Sequence, residues 1–428
     1  MRRVLVGLGA VAFVVLLLLV VELRRSRSGF SVGPLLPRAK IEPQLVSTWD
    51  TALLLAPDGS LWAWGGSLYG ASVLLGKTRP METPQQIGSS RAWRQVTAGY
   101  GTAFGIQEDG SLWGWGLNFS GQLTRSNLKT HQTQPVRIGS ETDWVQVSAG
   151  AGHCLGLRRD GSLWGWGQND HGQVGDGTGT VRFSLTQIGE GHDWKAIAAG
   201  AFNSFALKTN GTIWGWGLDP ITGGKKDDLQ PQLIEPHTNW MTISAGDYCV
   251  LGVQRDGTLW LRGQNAAQTL RDYVVGGITN FVQVGADKDW LQVYAGQSYF
   301  FAHKKNGAWW ACGINDRGQL GFNSLQNSVG SPKLLPWKFE PWALAPGFGN
   351  TLVLTQDGSL WTWGERLGSE RTRKMPKNLP ELLNWLSSLL NRRGGSPANR
   401  QPVIDQSPHL IWSLPPEARA ALEKESAH

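Results

Sequence analysis

The sequence predicts an all-β chain, a seven-bladed β-propeller with an N-terminal transmembrane helix and a short helical C-terminal tail. Three observations predict it. An eight-residue phrase, Asp58-Gly59-Ser60-Leu61-Trp62-Ala63-Trp64-Gly65, returns near Asp109, Asp160, Asn210, Asp256, Asn306 and Asp357. Its closing glycines, at 65, 116, 167, 217, 263, 313 and 364, stand 51, 51, 50, 46, 50 and 51 residues apart. A second signature, Ala98-Gly99, recurs as Ala149-Gly150, Ala199-Gly200, Ala245-Gly246, Ala295-Gly296 and Pro346-Gly347, each behind a Trp. A fixed period of this size marks a repeat architecture.

Each phrase has a local meaning. Asp-Gly or Asn-Gly between apolar runs signals a hairpin, expected as a tight primed turn with positive φ at its centre. The run after it is a strand, so Trp62 and Trp64 share one face and Leu61 and Ala63 the other. The residue between the two Trp positions is mostly small (Ala63, Gly114, Gly165, Gly215, Ala311), so the Trp face of one sheet is expected to seat on the small-residue face of its neighbour. Several short strands per period fit a four-stranded blade. Seven copies predict seven blades over residues 44–364.

The period, the Asp-Gly-Ser-Leu-Trp-x-Trp-Gly core, and tails such as Asn118-Phe119-Ser120-Gly121-Gln122-Leu123 and Asn315-Asp316-Arg317-Gly318-Gln319-Leu320-Gly321 resemble the regulator of chromosome condensation repeat family. The resemblance implies a rigid ring presenting loops to another protein. That family includes a nuclear guanine nucleotide exchange factor, ubiquitin-ligase components and a secreted bacterial inhibitor of β-lactamases, so it fixes the fold more narrowly than the activity. With its N-terminal anchor, this chain reads as a bacterial-type member.

Residues 1–25 read as a signal anchor. Val4 to Val21 is an unbroken apolar run between Arg2-Arg3 and Arg24-Arg25, at the short end of what spans a bilayer, and no small-residue cleavage site follows it. Long downstream domains translocate largely regardless of charge, which places the propeller on the extracytoplasmic side of a single-pass protein. Residues 26–43 form a linker. The net charge of +7 comes from the ends of the chain: of 40 Lys+Arg and 33 Asp+Glu, seven and one lie in residues 1–40 and ten and seven in 365–428, leaving 23 and 25 for the ring. A basic excess in the tails suits anionic lipid headgroups and argues against a nucleic-acid partner.

The tail, residues 365–428, carries leucines at helical spacing, and an amphipathic helix is expected near 380–392. Blade 7 has no recognisable fourth strand, so either this tail or the segment around Ile41 must close the ring. Cys154, Cys249 and Cys312 are odd in number and lack metal-ligand spacing, and are read as buried thiols. No nucleophile elbow, zinc-binding His pair or phosphate loop occurs, so the chain is expected to be no enzyme and to need no cofactor or metal. His153 stands where other copies have Thr51, Thr102, Asn203, Cys249, Tyr299 and Asn350, a variety that suits a structural hydrogen bond.

The two residues after the conserved Gly vary freely between copies, and rotation about the ring axis should gather them into one circle at a channel mouth. Trp49, Tyr100, Phe202, Asp247, Tyr248, Gln297 and Phe348 are the candidate protein-binding residues there, because exposed aromatics anchor interfaces; the bland alternative is that they plug the channel. The loop after Trp-x-Trp-Gly is placed on the opposite or outer rim. The expected function is a membrane-tethered scaffold that binds a protein partner. Inhibition of an extracytoplasmic enzyme, an exchange-factor-like role and glycan binding are the alternatives.

Overall fold

The computed structural model describes residues 41–66, 76, 80–123, 131–218, 227–235, 237–247, 249–263, 278–322, 327–337, 339, 341–367 and 404–416. The predicted anchor, most of the linker and the predicted tail helix near 380–392 lie outside them. Among the described residues every element is a strand, and no helix is long and apolar enough to cross a membrane.

The Asp-Gly phrase makes a hairpin in each blade, but not through the two-residue turn expected. The Gly59 N–H donates to the Ala56 carbonyl at 2.9 Å and the Ala56 N–H to the Ser60 carbonyl at 2.8 Å, closing a three-residue loop of Pro57, Asp58 and Gly59. Gly59 takes φ +76°, a conformation that favours glycine. The Asp side chain, not a primed backbone, sets the geometry. In the second copy, Asp109 Oδ1 accepts the Ser111 N–H at 2.9 Å and the Ser111 hydroxyl at 2.6 Å, and that hydroxyl accepts the Trp113 indole N–H at 2.8 Å. The same relay runs through Ser60, Ser162, Thr212 and Thr258 to Trp62, Trp164, Trp214 and Trp260. Donation from Ser111 holds the Asp109 carboxyl below its ordinary range.

The strands assemble into seven four-stranded antiparallel sheets. Blade 1 comprises Gln44–Ser47, Thr51–Leu55, Leu61–Gly65 and Met81–Gln86; blades 2 to 6 follow over 93–138, 144–187, 194–235, 240–283 and 290–334. The second strands are buried almost throughout, Thr51–Leu55 completely, whereas fourth strands such as Met81–Gln86 are largely exposed. First strands therefore line the axis and fourth strands form the rim, as a propeller requires.

Three sets of contacts hold one blade to the next. Gln44, Gln95 and Gln146 in the first strands each clamp the following blade: the Gln95 amide donates to the Val147 carbonyl at 3.2 Å and accepts the Val147 N–H at 3.0 Å. In the five blades that have it, the second Trp of the phrase packs on the preceding blade, Trp115 with Leu53, Leu61 and Ala63, and in blade 6 Cys312 stands in its place. Trp166, Trp216 and Trp363 also donate to the backbone carbonyls of Gln122, Gln173 and Gln319 at 2.8, 3.0 and 2.8 Å. The Oε1 of each of these Gln residues accepts the N–H two residues before it, from Ser120, His171 and Arg317, at 2.8, 2.8 and 2.9 Å, which is the side-chain role the recurring Gly-Gln pieces share. In blade 5 Arg262 replaces the Trp and donates to the Ile234 carbonyl at 3.4 Å. Finally, the Ala-Gly glycines abut around the axis. A Cβ on Gly99 would overlap the Gly150 carbonyl oxygen, and one on Gly200 would lie 2.7 Å from that of Gly246.

Blade 7 closes the ring with a segment the sequence reading assigned to the tail. Pro341–Pro346, Asn350–Thr355 and Ser359–Glu365 are completed by Ile404–Ser413, paired antiparallel to Ser359–Glu365. The Leu414 N–H donates to the Gly358 carbonyl at 2.9 Å, and its side chain is as buried as those of Ile87, Ile138 and Ile188, which end or directly follow the fourth strands of blades 1 to 3. Trp412 packs on Trp62 of blade 1 with ring centres 4.9 Å apart. Blade 1 also meets blade 7 through Asn350 Nδ2 donating to Ser47 Oγ at 3.1 Å and Trp342 Nε1 donating to Glu42 at 3.3 Å. Both candidate segments thus take part: the tail supplies the strand, and residues 42–47 the facing surface.

Candidate functional site

Because all pairings within a blade are antiparallel, the loop after the first strand and the loop after the third leave at the same end. The Leu117 N–H donates to the Gly101 carbonyl at 2.8 Å and the Leu218 N–H to the Phe202 carbonyl at 2.9 Å, tying the two loops together. The loop after Trp-x-Trp-Gly therefore surrounds the variable circle on its own face, and is not at the opposite mouth.

At the centre of that face is a bowl of about 140 Å³. Its wall is the Ala-Gly signatures, and its rim is Trp49, Tyr100, Ala151, Ala201, Asp247, Gln297 and Phe348, one from each blade. Among the described residues, the bowl is lined by the first residue after each glycine (in blade 1, after Thr48) and not by the second. The second turns back into the blades: Phe202 is buried with Ala151 and Ala201 and packs edge-on against His171 at 5.7 Å, so it leaves the candidate set. Alternation of successive side chains is the reason. Tyr248 lies outside the described residues.

The rim side chains reach one another across the mouth. The Tyr100 hydroxyl of blade 2 donates to Asp247 Oδ2 of blade 5 at 3.1 Å, and Gln297 adds a second hydrogen bond to the same carboxyl. Trp49 and Phe348 meet edge to face with centroids 6.1 Å apart. Asp247 keeps part of its surface toward the bowl, yet desolvation pushes its pKa up to about 6 against the pull of both donors. The face is therefore partly stoppered and partly open.

His153 lies off this site. It is fully buried, Nε2 is 2.9 Å from Ser204 Oγ of blade 4, and burial drives its pKa down to about 3, which keeps the ring neutral. Tyr299 and Asn350, at equivalent positions, bolt blade 6 to blade 7 and blade 7 to blade 1. The three cysteines are buried and free. Sequence reasoning missed Arg317, whose guanidinium lies 5.2 Å from the Phe348 ring and pairs with Glu365 at 2.7 Å. It sits inside the Asn315-Asp316-Arg317-Gly318-Gln319-Leu320 piece that carries the family resemblance.

Fold and repeat together define a class: a seven-bladed propeller containing Regulator of chromosome condensation (RCC1) repeats, which are matched at residues 93–122, 144–173 and 194–219 and again at 109–157. Among known proteins the chain is similar to the Probable E3 ubiquitin-protein ligase HERC6 of Homo sapiens, 32% identical over 131 residues that make up 29% of this chain and 13% of that protein. It is also similar to the Ultraviolet-B receptor UVR8 of Arabidopsis thaliana, 30% identical over 30% of each. The alignments thus span less than a third of these relatives. Among solved structures, Prp20p of Saccharomyces cerevisiae superposes with a TM-score of 0.66 at 14% identity, covering 92% of this chain and 96% of that one. Human WBSCR16 gives 0.64 at 18%, covering 72% and 90%.

One expectation is corrected by these relatives. The chain was expected to be no enzyme, because its repeats carry no catalytic motif. Ligases share the same repeats at about 30% identity, over 13% of HERC6 and 3% of the E3 ubiquitin-protein ligase HERC2. A stretch aligned over so small a part of an enzyme need hold none of its chemistry, so the lack of a catalytic motif in the repeats does not separate this chain from enzymes.

Proposed function

We propose that this chain is a membrane-tethered ring, a bacterial-type member of the repeat class, that binds a protein partner through the channel mouth bearing Trp49, Tyr100, Asp247, Gln297 and Phe348. One observation carries the reading. Positions equivalent by rotation hold unlike side chains around an open bowl, while the glycine beside each is kept in six of the seven blades. A rigid ring presents such side chains with little ordering cost on binding. Solved relatives of this fold are described with protein partners: Prp20p with Gsp1p and histones, and yeast RCC1 (Prp20) bound to Kap60.

The test is capture with the full-length protein in detergent as bait, followed by Trp49→Ala, Tyr100→Ala and Phe348→Ala. Loss of a specifically captured protein, with an unchanged melting temperature, supports the proposal; capture that survives all three changes rejects it. Carbonate extraction of membranes tests the tether, which predicts that the chain stays in the pellet and that a form starting at residue 41 does not.

A further inference from the structure

We propose that the bowl at the channel mouth is a receptor for one cationic side chain, an ammonium or guanidinium carried by the partner protein, seated against the Asp247 carboxylate and the rings of Trp49, Tyr100 and Phe348. This rests on the reading of that mouth as the docking face. The cavity of about 140 Å³ is far above the roughly 10–15 Å³ that admits a single water, so it has room for the head of a long basic side chain. Its rim offers one acid and three aromatic rings, the two features that attract an organic cation in a partly desolvated site.

The acid has no cation of its own. The hydrogen bonds to Asp247 come from the hydroxyl of Tyr100 and the amide of Gln297, both neutral, and no described Lys, Arg or His forms an ion pair with it. Arg317, just outside the bowl, lies over the Phe348 ring and is already paired with Glu365, so the Phe348 ring already accepts a guanidinium while Asp247 is left without one. The titratable groups facing Asp247 are the Tyr100 hydroxyl from blade 2 and the Cys249 thiol from its own second strand, which burial pushes up to about 12. Between pH 5 and 8 the carboxyl is thus the group whose charge changes at this spot, and with a pKa of about 6 it is charged above that pH and neutral below it.

The experiment uses the full-length protein in detergent with 15N-labelled tryptophan, following the Trp49 indole N–H assigned through Trp49→Phe. The probes are n-butylammonium, n-butylguanidinium, neutral 1-butanol and an acetylated, amidated Gly-Lys-Gly peptide. Both cations and the peptide are expected to bind in the millimolar range at pH 7.5, roughly tenfold more weakly at pH 5 and in Asp247→Asn, with 1-butanol inert. Should Asp247→Asn fail to fold, the pH comparison on the unaltered protein decides alone. Equal response to 1-butanol, or binding indifferent to both pH and Asp247→Asn, overturns the assignment. Binding of n-butylammonium without the peptide assigns the bowl to free amines and overturns a side chain as its occupant. Partner capture that depends on Trp49 without any cation response removes this inference and leaves the docking face standing; cation binding with capture indifferent to Trp49 removes the docking face and its occupant together.

Discussion

Blade 6 breaks the hydroxyl relay. Its phrase is Asn306-Gly307-Ala308-Trp309-Trp310, and although the Ala308 N–H still donates to Asn306 Oδ1 at 3.0 Å, no hydroxyl stands beneath the indole. The Trp310 N–H is buried with no partner among the described residues. Blade 4 supplies the template for a repair, because there Asn210 also opens the phrase, and Thr212 Oγ1 donates to Asn210 Oδ1 at 2.7 Å and accepts the Trp214 indole at 3.0 Å. Ala308→Ser should rebuild this geometry without moving the backbone. Satisfying one buried donor contributes about 1 kcal/mol net, which in a ring of this size raises the melting temperature by about 2 °C. The reverse change in an intact blade, Ser111→Ala, orphans the Trp113 indole and should lower stability by about 1–2 kcal/mol. The assay is thermal unfolding of both variants, with hydrogen exchange at the Trp310 and Trp113 indoles as the local readout. Slower exchange at Trp310 together with a higher melting temperature is expected. A neutral or destabilising Ala308→Ser, or a harmless Ser111→Ala, would refute the relay as a source of stability.

Further expectations follow from the same contacts. Gly99→Ala drives a Cβ into the Gly150 carbonyl and should cost about 3 kcal/mol or more, seen as loss of soluble ring in limited proteolysis, whereas Gly88→Ala, with φ +61° but nothing within 4 Å, should cost about 1 kcal/mol. Ending the chain at residue 403 removes Ile404–Ser413, exposes the edge of Ser359–Glu365 and uncovers Trp62, so size-exclusion chromatography should show aggregate and not monomer. His153 binds its proton more weakly when folded, near pH 3, than unfolded, near 6.5. Stability is therefore lost as pH falls from about 6.5 toward 3, and His153→Gln should flatten that part of a pH-dependent urea titration. Asp247 acts in the opposite sense: its folded pKa of about 6 exceeds the unfolded value near 4, so stability falls as pH rises between them, and Asp247→Asn should remove that slope.

How much of this was legible depends on where the determining chemistry sits. Asp109, Ser111 and Trp113 determine one another within five residues, so the hairpin and its repetition can be read directly, although the exact turn could not, because the Asp side chain and not a primed backbone sets it. The closing strand was illegible for the opposite reason. Fourth strands such as Met81–Gln86 and Asp228–Glu235 expose much of their surface and share little beyond the ability to pair along an edge. Ile404–Ser413 therefore carries no phrase to recognise, and its position is fixed by the partner strand and by Trp62 across the seam. At the mouth, residue positions were legible but directions were not. Tyr100 and Phe202 looked alike as variable aromatics, yet one is the first residue after its glycine and faces the bowl, while the other is the second and lies beneath it.

The glycine circle explains why variation gathers where it does. From Gly99 to Gly246 a Cβ would lie within 2.7 Å of the carbonyl oxygen of the next glycine, backbone that cannot yield, and on Gly296 it would lie 2.7 Å from the buried Tyr299 ring. Blade 1 is the exception, with Ser47-Thr48 in place of Ala-Gly, and there the contact becomes a hydrogen bond, Asn350 Nδ2 to Ser47 Oγ at 3.1 Å, at the seam where the chain's two ends meet. Sterics constrain the following residue less, because its side chain faces the axis: Trp49, Tyr100, Asp247, Gln297 and Phe348 keep surface there, whereas Ala151 and Ala201 are buried. A change from Trp49 to Asp247 to Gln297 around the circle costs the ring little, so these positions can follow the demands of a ligand while the scaffold stays constant. This separation yields a sharp comparison. Substituting Trp49 or Gln297 should leave the melting temperature within about 1 kcal/mol of wild type while changing what the mouth binds, whereas substituting the glycine just before Gln297, Gly296, should lower stability and binding together. Equal destabilisation by both classes would show that the rim side chains serve as a plug holding the blades and not as a recognition surface.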